Sequence, residues 1–180
     1  VATHFRPRSD SWPDSEDPFP IRAAIQRRVA RVVSYFADQA NAATGEDWRL
    51  VIVCHSQGTM AVLECLNDAR VYDSNKKPAL EAFESVRLVT MGSPFSHIYQ
   101  HYFHHLYPSL GDAVRWGTLQ ANIKSKPGNR WLNVYRVDDY VGRKVEATGL
   151  VVNEVVEHFG HTNYWSDGKV MDVLVREKVF

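Results

Sequence analysis

Residues 49–66, RLVIVCHSQGTMAVLECL, constrain the fold of this chain more than any other stretch. A continuous run of mostly branched apolar residues marks a strand covered on both faces. It reaches Cys54-His55-Ser56-Gln57-Gly58 and becomes helical spacing with no linker between. A strand and a helix joined so tightly must turn at one residue, which is forced into a backbone conformation that L-residues avoid. The side chain at that apex, here Ser56, stands clear of the sheet. The N–H of Gln57, at the helix N-terminus, faces the same space and suits a developing negative charge. The plainer alternative is an ordinary turn in which Ser56 is an N-cap.

The other segments alternate in the same way. Ile21, Ile25, Val29, Val32, Val33, Phe36 and Ala40 recur at helical spacing, with Arg22, Arg27 and Arg31 off that stripe, and the helix is expected to stop near Thr44-Gly45. After the helix at about 57–69, VRLVTM (86–91), WLNVYRV (131–137) and LVVNEVV (150–156) read as further strands, and VMDVLVREKV (170–179) as a closing helix. Residues 95–107 read as helical and 108–130 as irregular. Residues 6–20, rich in Pro, Ser and Asp, read as a loop, and VATHF (1–5) as at most one short strand. Strands alternating with helices predict an α/β layer structure with a mostly parallel sheet. At 180 residues, 44% hydrophobic, the chain can bury one core.

A serine hydroxyl is a poor nucleophile without a base to take its proton. Histidine suits that task, and a carboxylate must then fix its tautomer. The third strand runs into Asp138-Asp139, and the fourth into EHFGHTNYW, with His158 and His161. On residue type and position alone either aspartate and either histidine qualifies.

CHSQG resembles the G-x-S-x-G nucleophile elbow of α/β-hydrolases, and HSQGT looks like that of many lipases, with Cys54 in place of the first glycine. WLNVYRVDDYVG and GHTNYW resemble the acid and histidine segments of the same lipase-like proteins, and these alignments select Asp139 and His161. The resemblance spans about residues 49–168. It implies a three-layer α/β-hydrolase-type fold and a carboxylic-ester hydrolase. Ser56 would be the nucleophile, His161 the base, Asp139 its orienting acid and the Gln57 N–H an oxyanion donor, with no cofactor. The implied substrate is a small-molecule or lipid ester. An amidase or peptidase with the same triad, or a non-catalytic domain on the same fold, are the alternatives. In that family several strands precede the elbow, and a loop after one of them supplies a second oxyanion N–H. Here a single helix and a loop precede residue 49, and no HGGG-like stretch occurs. The chain is therefore expected to be a minimal version of the fold or its later half, the remainder coming from a missing N-terminal segment or a partner chain.

Other features point elsewhere only weakly. His97, His101, His104 and His105 form one face of a helix at 95–107, opposite Phe95, Tyr99, Tyr102, Phe103 and Leu106. Histidines at i and i+4 can bind zinc, but no cysteine or clear carboxylate ligand lies close in sequence, so the segment reads as a helix packed by its aromatics with a polar histidine face, and no metal is expected. It lies between the second and third strands, where α/β-hydrolases often insert a cap, so the resemblance implies a cap-like insertion at about 95–130. Ser93 in GSP reads as a turn residue. Lys+Arg and Asp+Glu are both 21, which leaves no electrostatic footprint for nucleic acid. No apolar run approaches the ~20 residues of a transmembrane helix, and no signal-peptide pattern is visible. Two cysteines, Cys54 and Cys65, do not make a disulfide framework.

Overall fold

The computed structural model describes residues 20–43, 45–68, 70–147, 149–157 and 160–180. The expectations for residues 1–19, for Thr44 and for His158 lie outside these residues. Four strands, β1 (Arg49–His55), β2 (Ser85–Met91), β3 (Arg130–Tyr135) and β4 (Val151–Val155), form one sheet in the order β1-β2-β3-β4. Every pairing is parallel. Four helices flank it: α1 (Pro20–Ala42), α2 (Gln57–Leu66), α3 (Ala113–Lys124) and α4 (Gly168–Arg176). None is long and apolar enough to cross a membrane.

Alternation along the strands divides the core in two. Leu50, Ile52, Cys54, Val86, Leu88 and Trp131 face α1, α2 and α3. Val89, Met91, Leu132 and Val134 face α4 through Val170, Val173 and Leu174. Helices on both faces explain why the strands read as continuous apolar runs.

Two regions differ from the sequence reading. In α1 the buried stripe is Ala30, Val33, Ala37 and Ala40, whereas Ile25, Val32 and Phe36 are exposed. Small residues let α1 lie close against α2 and the 3₁₀ turn Ala79–Ala82, and the larger side chains point aside. Within 108–130, read as irregular, α3 forms. Asp112 caps it, accepting N–H bonds from Val114 and Arg115, and Trp116, Leu119 and Ile123 are buried. Pro108, Gly111, Gly117, Pro127 and Gly128 obscure that short stripe in the sequence. The second half of the expected cap-like insertion is thus a core helix. The first half is helical as expected from Phe95 to Gln100, in a π-helical turn, but the helix ends short of the expected range 95–107. Of the aromatic face expected there, Phe95 is buried while Tyr102, Phe103 and Leu106 are exposed, so the segment does not pack by its whole aromatic face.

Candidate active site

Parallel pairing brings the carboxyl ends of all four strands to one edge. The ladder continues past the strand ends: Ser56 N–H donates to Met91 O (3.0 Å), Gly92 N–H to Val134 O (3.0 Å) and Val156 N–H to Tyr135 O (2.9 Å). The residues that follow each strand are held side by side.

Ser56 has φ 52° and ψ −129° and makes no side-chain capping bond to α2. The N-cap alternative therefore does not describe it. Such a conformation costs a non-glycine residue about 1–3 kcal/mol. Its Oγ instead lies 2.7 Å from His161 Nε2. His161 Nδ1 lies 2.9 and 3.0 Å from the two carboxylate oxygens of Asp139. A carboxylate only accepts, so Nδ1 carries the proton and Nε2 is left to accept from the serine.

Asp139 is fully buried. Its Oδ1 accepts the N–H groups of Val141 and Gly142, both at 2.8 Å, and its Oδ2 accepts the Tyr164 hydroxyl at 2.9 Å. Burial pushes its pKa up, but the Gly142 amide, His161, the Val141 amide and Tyr164 outweigh that and hold it below the ordinary carboxylate value. Burial and the neighbouring charge of Asp139 raise the Tyr164 pKa, so its phenol stays a donor. Asp138 is exposed and turns the other way, accepting Gly160 N–H at 3.2 Å. Of the two aspartates, Asp139 is the one that reaches His161.

Three elements that the sequence reading passed over hold this constellation. Gly92 has φ +56°, and a Cβ there would lie 2.9 Å from Asp139 Oδ2 and 3.0 Å from Tyr164 Cε2. A Cβ on Gly142 would run into the Gly92 backbone, so the loop carrying the acid crosses the end of β2 with no room for a side chain. A polar row, the buried Thr90 and Asn133 and the half-buried Asn153, stands in register across β2, β3 and β4. Asn133 donates to Arg143 O, and Asn153 bonds both Val145 N–H and Val145 O, fastening the acid loop to the sheet. Arg136, fully buried, donates from Nη1 to the carbonyls of Gly160 (3.0 Å) and Thr162 (2.6 Å) and pairs through Nη2 with Asp167 at 2.5 Å. Its guanidinium carbon lies 4.2 Å from the Tyr164 ring centroid. Glycines and an arginine close after strands were the available signals, but each also fits an ordinary turn.

The remaining candidates take varied places. Gln57 opens α2, where the first N–H groups have no partner within the helix. Its carboxamide lies against the Tyr99 hydroxyl, 2.6 Å from Nε2 and 2.9 Å from Oε1. Cys54 fits at the elbow because its sulfur turns aside to Val89 O, 3.4 Å away. Its thiol, pushed up to about 12 by burial, is inert, and both cysteines are free. Ser93 is buried and its Oγ accepts from Phe95 N–H, a turn role. His97, His101, His104 and His105 are exposed, and among the described residues no group of three metal-ligating side chains gathers. No protein-family model and no curated protein matches this chain.

Proposed function

We propose that this chain is a serine hydrolase of the α/β-hydrolase type that cleaves carboxylic esters, with a lipid or small-molecule ester as substrate. The observation that carries the reading is the continuous relay Ser56 Oγ–His161–Asp139, spanning strand ends in the chain order Ser, Asp, His. Ser56 Oγ attacks the ester carbonyl as His161 Nε2 takes its proton. The carbonyl oxygen, now an anion, is stabilised by the Gln57 N–H at the N-terminus of α2. Collapse expels the alkoxide, which receives the proton from His161. Water, deprotonated by the same imidazole, then attacks the acyl-serine, and collapse releases the acid as His161 returns the proton to Ser56 Oγ. Ser56, His161 and water carry every proton in these steps, which balance without a further reactant.

Aromatic side chains rim the site. The exposed Tyr140 ring lies 6.2 Å from that of His161, and Tyr99, whose ring meets that of Phe103, contacts Gln57. Such a rim favours an ester with an apolar portion over a charged one.

A non-catalytic domain on the same fold is the second reading. It is favoured by one observation: among the described residues no strand precedes β1, so no loop from an earlier strand brings a second oxyanion N–H to Ser56. In the family resemblance that donor would come from a preceding segment or a partner chain. Labelling with a fluorophosphonate probe separates the two readings. Wild-type protein should be labelled at Ser56, and Ser56→Ala should abolish both labelling and hydrolysis of a nitrophenyl ester, with a loss on the order of 10⁴-fold or more in kcat. An unlabelled wild-type protein sinks the hydrolase reading. Turnover of a matched anilide at a rate equal to the ester would replace esterase by amidase.

A further inference from the structure

We infer that His55 is a positioning residue that holds the imidazole of His161 between Ser56 and Asp139. The inference rests on the triad reading above. His55 is the last residue of β1 and immediately precedes Ser56. Its Nε2–H donates to the main-chain oxygen of His161 itself, at 2.9 Å. Its ring also stacks on the His161 ring, with centroids 4.9 Å apart and planes at 29°. On another side it meets Tyr164, at 5.3 Å, whose hydroxyl holds Asp139.

These contacts bear on the base from two directions. Arg136 takes the carbonyls of Gly160 and Thr162, which flank the base. The carbonyl between them, that of His161, goes to His55. Three consecutive carbonyls of the loop are thereby tied, and the loop residue bearing the base is tied to the strand bearing the nucleophile. The stacked ring blocks one face of the His161 imidazole, so rotation away from the Ser56–Asp139 line would have to displace it. Only a flat ring with a donor at its far tip meets both demands. Phenylalanine retains the ring and loses the donor, and glutamine retains a donor and loses the ring.

His55 serves best as a neutral ring, which adds no positive charge beside the imidazolium that forms on His161 during turnover. Burial lowers its pKa, and the bond to the His161 carbonyl opposes this. The nearby charges of His161 and Arg136 lower it further and that of Asp139 raises it, leaving the value below the ordinary one for histidine.

The test compares wild type with His55→Phe, His55→Gln and His55→Ala by nitrophenyl-ester kinetics, by the second-order rate of fluorophosphonate labelling and by melting temperature. Displacement of a catalytic group by ~1 Å costs on the order of 100-fold. His55→Ala should therefore lose about that factor in kcat and in labelling rate, with KM within about twofold. The Phe and Gln variants, each keeping one contact, should lie between it and wild type. A merely structural residue would instead lower the melting temperature and leave the kcat of the folded protein alone. Should His55→Ala fail to fold, the Phe and Gln variants decide. Folded variants with kcat and labelling rate within threefold of wild type, or with the loss confined to KM, overturn the inference while the labelled wild type upholds the triad. A wild-type protein that takes no label overturns both.

Discussion

Asp139→Asn exchanges one oxygen for an NH₂ group, and the surroundings dictate which. Oδ1 is held by two backbone N–H groups, from Val141 and Gly142, which need an acceptor. The asparagine carbonyl must therefore stay there, which places the NH₂ where Oδ2 now faces Tyr164 and His161 Nδ1. The retained oxygen lies 2.9 Å from Nδ1 but already accepts two N–H groups, and the NH₂ beside it, 3.0 Å from Nδ1, can only donate, which favours Nδ1 as acceptor and moves the imidazole proton to Nε2. Nε2 then presents N–H to the Ser56 hydroxyl at a distance of 2.7 Å and has no lone pair to take its proton. The shape is unchanged and the chemistry is blocked. An exchange of this kind costs about 10⁴-fold in kcat, or roughly 5.5 kcal/mol in activation free energy at 1.36 kcal/mol per decade. Asp138→Asn makes the contrast. That side chain is exposed and accepts the Gly160 N–H, which an amide oxygen accepts equally well. It should stay within about threefold of the parent, as surface substitutions do. Nitrophenyl-ester kinetics on both variants, with melting temperatures to show that each is folded, checks the pair. An Asp139→Asn protein within tenfold of the parent, or Asp138→Asn as the more damaged of the two, would refute the argument.

Gly142→Ala and Gly58→Ala should behave oppositely. The first drives a Cβ into the Gly92 backbone, so it should destabilise by about 1–3 kcal/mol and displace the acid loop. The second meets nothing nearer than Cys54 Cβ at 3.8 Å, and helix propensity favours alanine by about 1 kcal/mol. Thermal melts that rank them the other way would refute the packing. The site should also loosen in acid. Asp139 and Asp167 are both held below the ordinary carboxylate pKa, against burial that alone would raise them, Asp167 chiefly by Arg136. Groups depressed in the folded state contribute stability above their unfolded value, about 3.9, and lose it as pH falls through the folded value. Denaturation midpoints should therefore drop steeply below about pH 4. Asp167→Asn, which breaks a pair with side chains 0% and 8% exposed, should cost on the order of 3 kcal/mol at neutral pH and flatten that acid slope. Parallel slopes for the two proteins would show that the pair does not titrate as described.

Local features carried much of this architecture. The strand–turn–helix at 49–66 follows from branched residues meeting a helical spacing with no linker, and the remaining strands follow from their apolar runs. Ser56, the Asp138-Asp139 pair and the histidines of EHFGHTNYW could be found because each sits just past such a run. Sequence spacing along one strand says which residues reach the sheet edge. It is silent on which of two adjacent residues turns inward. Asp139 faces His161 and Asp138 faces solvent because the loop after β3 folds back over Gly92, and that crossing depends on Gly142, which is distant in sequence from Gly92. The exposed Ile25, Val32 and Phe36 of α1 show the same limit, since periodicity defines a stripe but the partner's shape selects which stripe is buried. The Arg136 clamp, the Tyr164 hydroxyl on Asp139 and the His55 bond to the His161 carbonyl join separate strand ends. They arise because four parallel strands end at one edge, where residues up to 106 positions apart come within a hydrogen bond of one another.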